Sequence, residues 1–97
     1  MIRHIVLLDL SETATDDDRQ AILDALATLP GRIPSIRNYV WGADAGLAEG
    51  NAEITAVADF DDVAGYEEYR DHDAHKQVIG DYIKPVLANR TAIQIEF

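Results

Sequence analysis

The sequence predicts an α+β fold in which one four-stranded antiparallel sheet carries helices on a single side. Two observations point there. Segments with a two-residue apolar period and segments with helical apolar spacing follow one another in the order β-α-β-β-α-β. The chain has 97 residues, enough for one hydrophobic core and too few for two, so one domain is expected over 1–97.

The elements follow in order. Ile2 to Leu10 alternates as a strand, with Ile2, His4, Val6, Leu8 and Leu10 on one face and Arg3, Ile5, Leu7 and Asp9 on the other. Thr15 followed by Asp16, Asp17 and Asp18 is a helix start, because a threonine hydroxyl caps free N–H groups and acids suit the positive end of the helix dipole. Ile22, Leu23, Leu26 and Leu29 then recur at helical spacing until Pro30-Gly31, where the helix is expected to stop. Ile36 to Ala43, rich in Tyr39, Val40 and Trp41, reads as a second strand, and Asp44 to Asn51 as a loop. Ile54 to Phe60 alternates as a third strand, with Ile54, Ala56, Ala58 and Phe60 on one side. Asp61-Asp62 opens a short helix bearing Val63, Tyr66 and Tyr69. A further helix is expected from about Asp73 to Ala88 on an apolar stripe of Val78, Ile79, Tyr82 and Ile83, kinked or shortened by Pro85. Thr91 to Phe97 completes the sheet, with Ile93, Ile95 and Phe97 on one face.

This order is the split βαβ, or ferredoxin-like, arrangement, whose helices cover only one sheet face. The first strand is nevertheless apolar on both faces. An uncovered apolar face of that size marks an interface, and a second copy of the chain, docked by a two-fold self-complementary contact, is its simplest cover. A homodimer is therefore expected, with Trp41 and Phe97 filling core or interface.

Composition excludes several functions. Eighteen acidic residues against 8 basic give a net charge of −10, and no Lys/Arg cluster exists to displace counterions from phosphates or to meet an anionic bilayer. Neither nucleic acid nor membrane is expected as a partner. No run approaches the ~20 apolar residues of a membrane span, and Met1 leads straight into strand-like sequence without a signal-peptide core. The absence of cysteine removes disulfides, thiolate catalysis and Cys-based zinc sites, and it fits a cytoplasmic location.

Three histidines are the groups that titrate near neutrality. His4 lies in the first strand. His72 and His75 stand three apart in Tyr69-Arg70-Asp71-His72-Asp73-Ala74-His75 and would share a face if that segment is helical. His-x-x-His is a metal-ligand spacing that Asp71, Asp73 or His4 could complete, but nothing in the spacing demands it, and no metal or other cofactor is expected. Acid–base chemistry by an imidazole and the Tyr69 hydroxyl is a second reading. A helix-capping histidine beside a packing tyrosine stays open as a third.

Three stretches resemble the stress-responsive A/B barrel (Dabb) domains over nearly the whole chain. They are Ile2-Arg3-His4-Ile5-Val6-Leu7-Leu8, Ile33-Pro34-Ser35-Ile36-Arg37-Asn38-Tyr39-Val40-Trp41-Gly42, and Tyr66 through His75. The resemblance implies a dimeric α/β barrel of two sheets packed face to face. The family's clearest enzyme is a plant polyketide cyclase that makes olivetolic acid by an aldol-type closure, with a histidine base and a substrate-holding tyrosine. By motif position these are similar to His75 and Tyr69, with His4 facing the same cavity. His72, nearer its mouth, and Tyr66 and Trp41 are carried as substrate-contacting residues. Where the family usually has His-Pro-x-His this chain has His72-Asp73-Ala74-His75, which frees the backbone and adds an acid beside the imidazoles. The implied function is binding of a small organic metabolite, with cofactor-independent cyclase, isomerase or lyase chemistry on it. A non-catalytic stress-response or ligand-binding dimer is the alternative.

Overall fold

The computed structural model describes all residues from Met1 to Phe97. Its elements run β1 (Ile2–Leu10), α1 (Asp16–Ala27), α2 (Leu29–Arg32), β2 (Asn38–Ala43), β3 (Ile54–Phe60), α3 (Val63–Asp71), α4 (Asp73–Val78) and β4 (Leu87–Glu96), with a π-helical turn (Ile79–Ile83) and a 3₁₀ turn (Lys84–Val86) joining α4 to β4. The strands form one antiparallel sheet in the order β2-β3-β1-β4, the ferredoxin-like topology.

Local chemistry explains most boundaries. The Thr15 hydroxyl accepts from the Asp18 N–H while the Asp18 carboxylate accepts from the Thr15 N–H, a reciprocal cap that starts α1. Asp62 caps α3 in the same sense, accepting from the Gly65 N–H at 2.8 Å. The loop from β2 to β3 closes through the Asp44 N–H donating to the Glu53 carbonyl. It turns at Gly46 and Gly50, whose φ angles of 76° and 79° favour glycine.

Three expected boundaries move. Pro30-Gly31 does not end helical structure: α1 stops at Ala27, and Pro30 sits in the first turn of α2, where its missing N–H costs nothing. The second strand begins at Asn38, since Ile33 to Arg37 is spent turning onto the sheet. The helix expected to reach Ala88 ends far earlier. Its backbone widens into a π turn, tightens into a 3₁₀ turn around Pro85, and enters β4 at Leu87, which pairs with Leu10 beside a register shift at Asp9/Leu10.

Ile2, His4, Leu8 and Leu10 of β1 and Ile54, Ala56, Ala58 and Phe60 of β3 are buried against Ile22, Leu26, Leu29, Ile33, Tyr69 and Val78. The other face has no cover within the chain. Register places Ile5 opposite Val57 and Ile93, and Leu7 opposite Thr55 and Thr91. On this face Val40 and Ile93 are 64% and 56% exposed. Its polar end is closed by the buried Asp59 carboxylate, which accepts from the Arg3 guanidinium at 2.7 and 2.9 Å. Phe97 is 57% exposed beneath the same guanidinium, 4.8 Å from the ring centroid. Trp41, 38% exposed, stacks on Tyr39 with ring centroids 5.5 Å apart. Neither aromatic belongs to the core of this chain, because both lie on sheet edges or ends that only another surface could bury. No helix is long and apolar enough to cross a membrane.

Candidate functional site

Between sheet and helices lies a largely enclosed cavity of about 120 Å³. His4 enters from β1, Tyr69 from the last turn of α3, His75 from α4 and Arg90 from β4. Apart from Lys84, the rest of the wall is hydrocarbon, chiefly Leu8, Leu26, Leu29, Val78, Ile79 and Ile83. The π turn carries Ile79 and Ile83 onto that wall, and such widened turns recur where a helix must reshape around a site. The three residues expected to converge, His4, Tyr69 and His75, do line one cavity. Larger depressions of about 400 and 510 Å³ on the uncovered sheet face are open to solvent and hold no histidine.

The imidazoles are in different states of use. His75 stacks on Tyr69 with centroids 4.2 Å apart, and its Nδ1 lies 3.2 Å from the Arg70 carbonyl oxygen. A carbonyl only accepts, so Nδ1 carries the proton and Nε2 keeps its lone pair. Burial holds the His75 pKa below the usual histidine value, assisted by the positive Arg90 and opposed by the Arg70 carbonyl. His75 is thus a neutral acceptor at neutral pH.

His4 has the opposite polarity. The Gln94 side-chain amide donates to His4 Nδ1 at 2.9 Å, leaving the proton on Nε2 as a donor. His4 is 4% exposed, and burial, then Arg90, then His75 push its pKa down to about 4. Its ring packs against Tyr66 at 5.3 Å and Tyr69 at 5.9 Å. Burial also pushes the Tyr69 phenol up to about 12, against the opposing influence of the Tyr39 hydroxyl and Arg90, so it stays protonated and able to donate. The buried Tyr39 hydroxyl lies beside Tyr69 without a well-formed hydrogen bond, and burial raises its pKa as well.

Three expected substrate contacts lie elsewhere. His72 has extended backbone angles and is the N-cap of α4, its Nδ1 accepting from the Ala74 N–H at 3.0 Å. It therefore does not share a helical face with His75, and its ring is not part of the cavity wall. The capping reading applies to His72 and not to His75. Tyr66 acts one layer back, against the His4 ring, and Trp41 lies on the edge strand β2 away from the cavity. Sequence reasoning missed Gln94 and Arg90. Both follow from register, since His4 pairs with Gln94 and Leu8 with Arg90 on the helix-covered face. No group of three or more His, Asp or Glu side chains converges as a metal site.

Comparison with known proteins agrees with this architecture. The family model of the stress responsive A/B Barrel Domain (Dabb) matches residues 2–97. A dimeric ferredoxin-like protein of unknown function from Thermobifida fusca is 42% identical, covering 99% of this chain and 90% of its own, with a TM-score of 0.92. A Dabb family protein with a ferredoxin-like fold from Mesorhizobium loti superimposes with a TM-score of 0.81 at 19% identity, over 98% of this chain and 94% of its own. The hydroxynitrile lyase of Passiflora edulis shares the fold at 15% identity, TM-score 0.82, over 97% of this chain and 90% of its own. None of the curated proteins compared is significantly similar in sequence.

Proposed function

The chain belongs to the stress-responsive A/B barrel (Dabb) family, and from that premise we propose that it is a homodimer that binds a small organic metabolite and moves a proton on it. His75 is the base. The observation that carries this reading is a neutral imidazole on the wall of an enclosed cavity, its Nδ1 held by the Arg70 carbonyl and its Nε2 free to accept. Two residues able to donate a proton share the same wall, Tyr69 through its hydroxyl and His4 through Nε2–H.

These parts suit proton abstraction from a carbon next to a carbonyl. His75 Nε2 takes the proton, and the C–H electron pair moves into the carbonyl to give an enolate. The enolate oxygen accepts from Tyr69 and His4, whose donors exist before the charge develops. The imidazolium then returns its proton to the substrate carbon or a neighbouring oxygen. A depressed His75 pKa suits this work, because the base is unprotonated at neutral pH. A cavity of about 120 Å³ limits the enclosed part of the ligand to roughly the size of benzene, which fills an engineered apolar cavity of ~150 Å³. Dimerisation is supported by the uncovered apolar sheet face and by the dimeric state of the Thermobifida fusca relative.

The test is exchange of the α-protons of cyclohexanone with D₂O, followed by NMR. The wild-type protein should accelerate exchange over buffer and over free imidazole, and His75→Ala should lose ~10²–10⁴-fold of that acceleration while keeping its sedimentation behaviour. Equal exchange by the two proteins would remove His75 as the base and leave a ligand-holding dimer without turnover.

A further inference from the structure

Five of the eight cationic side chains of this acidic chain are committed to partners. Arg3 is paired with Asp59, Arg19 with Asp16 and Glu53, Arg37 with Asp61 and Arg70 with Asp71. Arg32 donates to the Gln77 side-chain carbonyl. Arg90 and Lys84 make neither an ion pair nor a side-chain hydrogen bond, although acids outnumber bases 18 to 8. Both stand at the same cavity. Lys76, also without a carboxylate partner, lines no cavity.

The two cations come from different elements, Lys84 from the 3₁₀ turn and Arg90 from β4, and both are exposed. They therefore form a wet, positive rim over a mostly hydrocarbon interior. An apolar interior cannot solvate a charge, so an anionic group would stay at the rim while the uncharged body enters. A guanidinium matches a carboxylate with two parallel N–H donors, and an ammonium at the same cavity adds a point charge.

We infer that Arg90 and Lys84 are the specificity-determining rim of the cavity and that the metabolite is a small organic acid, its carboxylate held at the rim and its apolar, carbonyl-bearing part inside. This rests on the cavity being a ligand site, and it adds the ligand's chemical class. It also gives Arg90 a second consequence. Its charge acts on His4, Tyr69 and His75, so a bound carboxylate would offset that influence and strengthen His75 as a base once ligand is present.

The experiment uses three probes of similar body and different head: benzoate, benzamide and phenyl phosphate. Binding is measured by calorimetry at low salt for the wild type, Arg90→Gln and the double variant Arg90→Gln/Lys84→Gln. Because both side chains are exposed, unchanged melting temperatures are expected. The wild type should bind benzoate at least tenfold tighter than benzamide. Arg90→Gln should remove about ten- to hundredfold of the benzoate affinity, the range of a charge-assisted hydrogen bond, and leave benzamide unchanged. Equal binding of benzoate and benzamide, or benzoate affinity that survives the double substitution, would overturn the rim assignment while the cavity stands. Tighter, Arg90-dependent binding of phenyl phosphate would overturn the carboxylate in favour of a phosphate ester. If no probe binds at all, the cavity reading falls together with its rim.

Discussion

His4 should act as a measurable acid-side weakness of the fold, and its magnitude follows from its surroundings. The imidazole is 4% exposed, packed between Tyr66 and Tyr69 and fixed by Gln94. Its pKa falls from 6.5 to about 4, chiefly through burial. Above pH 6.5 the ring is neutral in both folded and unfolded chains, and no penalty arises. Between pH 6.5 and about 4 the unfolded chain binds a proton that the folded chain refuses, so stability is lost as pH falls through that window. At ~1.4 kcal/mol per pH unit the full loss is ~3 kcal/mol, of which ~2 kcal/mol is reached by pH 5. That pH still lies above the isoelectric region near 4.4, where precipitation would interfere. The perturbation is His4→Gln, which keeps a polar side chain facing Gln94 and cannot take up the proton. Urea unfolding at pH 7.5, 6 and 5, at fixed protein concentration, gives the difference between the two proteins. The wild type should lose ~2 kcal/mol more than the variant between pH 7.5 and 5, whatever their absolute stabilities. The NMR midpoint of His4 should fall near 4. Parallel pH profiles, or a His4 midpoint near 6.5, would refute the claim that burial governs this imidazole.

Two further outcomes follow from the packing. Ile93→Asp on the uncovered sheet face should move sedimentation from about twice 10.7 kDa toward 10.7 kDa. About half of an isoleucine burial of ~1.5–3 kcal/mol is outstanding on each copy, so the two-fold contact weakens at least ~10-fold before the unpaired carboxylates add their own cost. An unchanged dimer would place the interface elsewhere. Phe60→Ala, at a side chain with no exposure beneath Tyr66 and Tyr69, should cost ~3–5 kcal/mol in denaturant unfolding. A loss below ~1 kcal/mol would mean that the aromatic cluster collapses freely into the space.

What could be read from the sequence is what local chemistry writes there. Ile54 to Phe60 is a strand in the structure with those same bounds, because a half-buried strand must alternate and nothing else explains the period. Thr15 and Asp62 announce helix starts because their side chains can satisfy free N–H groups only at that place. The two apolar faces of β1 foretell a sheet with one face left uncovered by the chain's own helices. The meeting of His4, Tyr69 and His75 was legible through resemblance at those positions, whereas spacing alone left it open.

Tertiary structure decided the rest, for reasons that act across long sequence separations. Ile79 to Leu87 carries enough apolar residues to continue a helix. Only pairing with β1 makes Leu87 the start of a strand, and the backbone reaches it through a π turn and a 3₁₀ turn that no local period encodes. His72 and His75 look equivalent in sequence, yet the break between α3 and α4 turns one into a backbone cap and the other into a wall of the cavity. Gln94 and Arg90 carry no motif. They reach the site because the register of β4 against β1 sets Gln94 beside His4 and Arg90 beside Leu8, and a shift of one residue would send both to the opposite face. The sequence by itself determined which side chains are able to donate, accept and bury. Register and chain reversal, which depend on hydrogen bonds between strands some 80 residues apart, decided which of them meet.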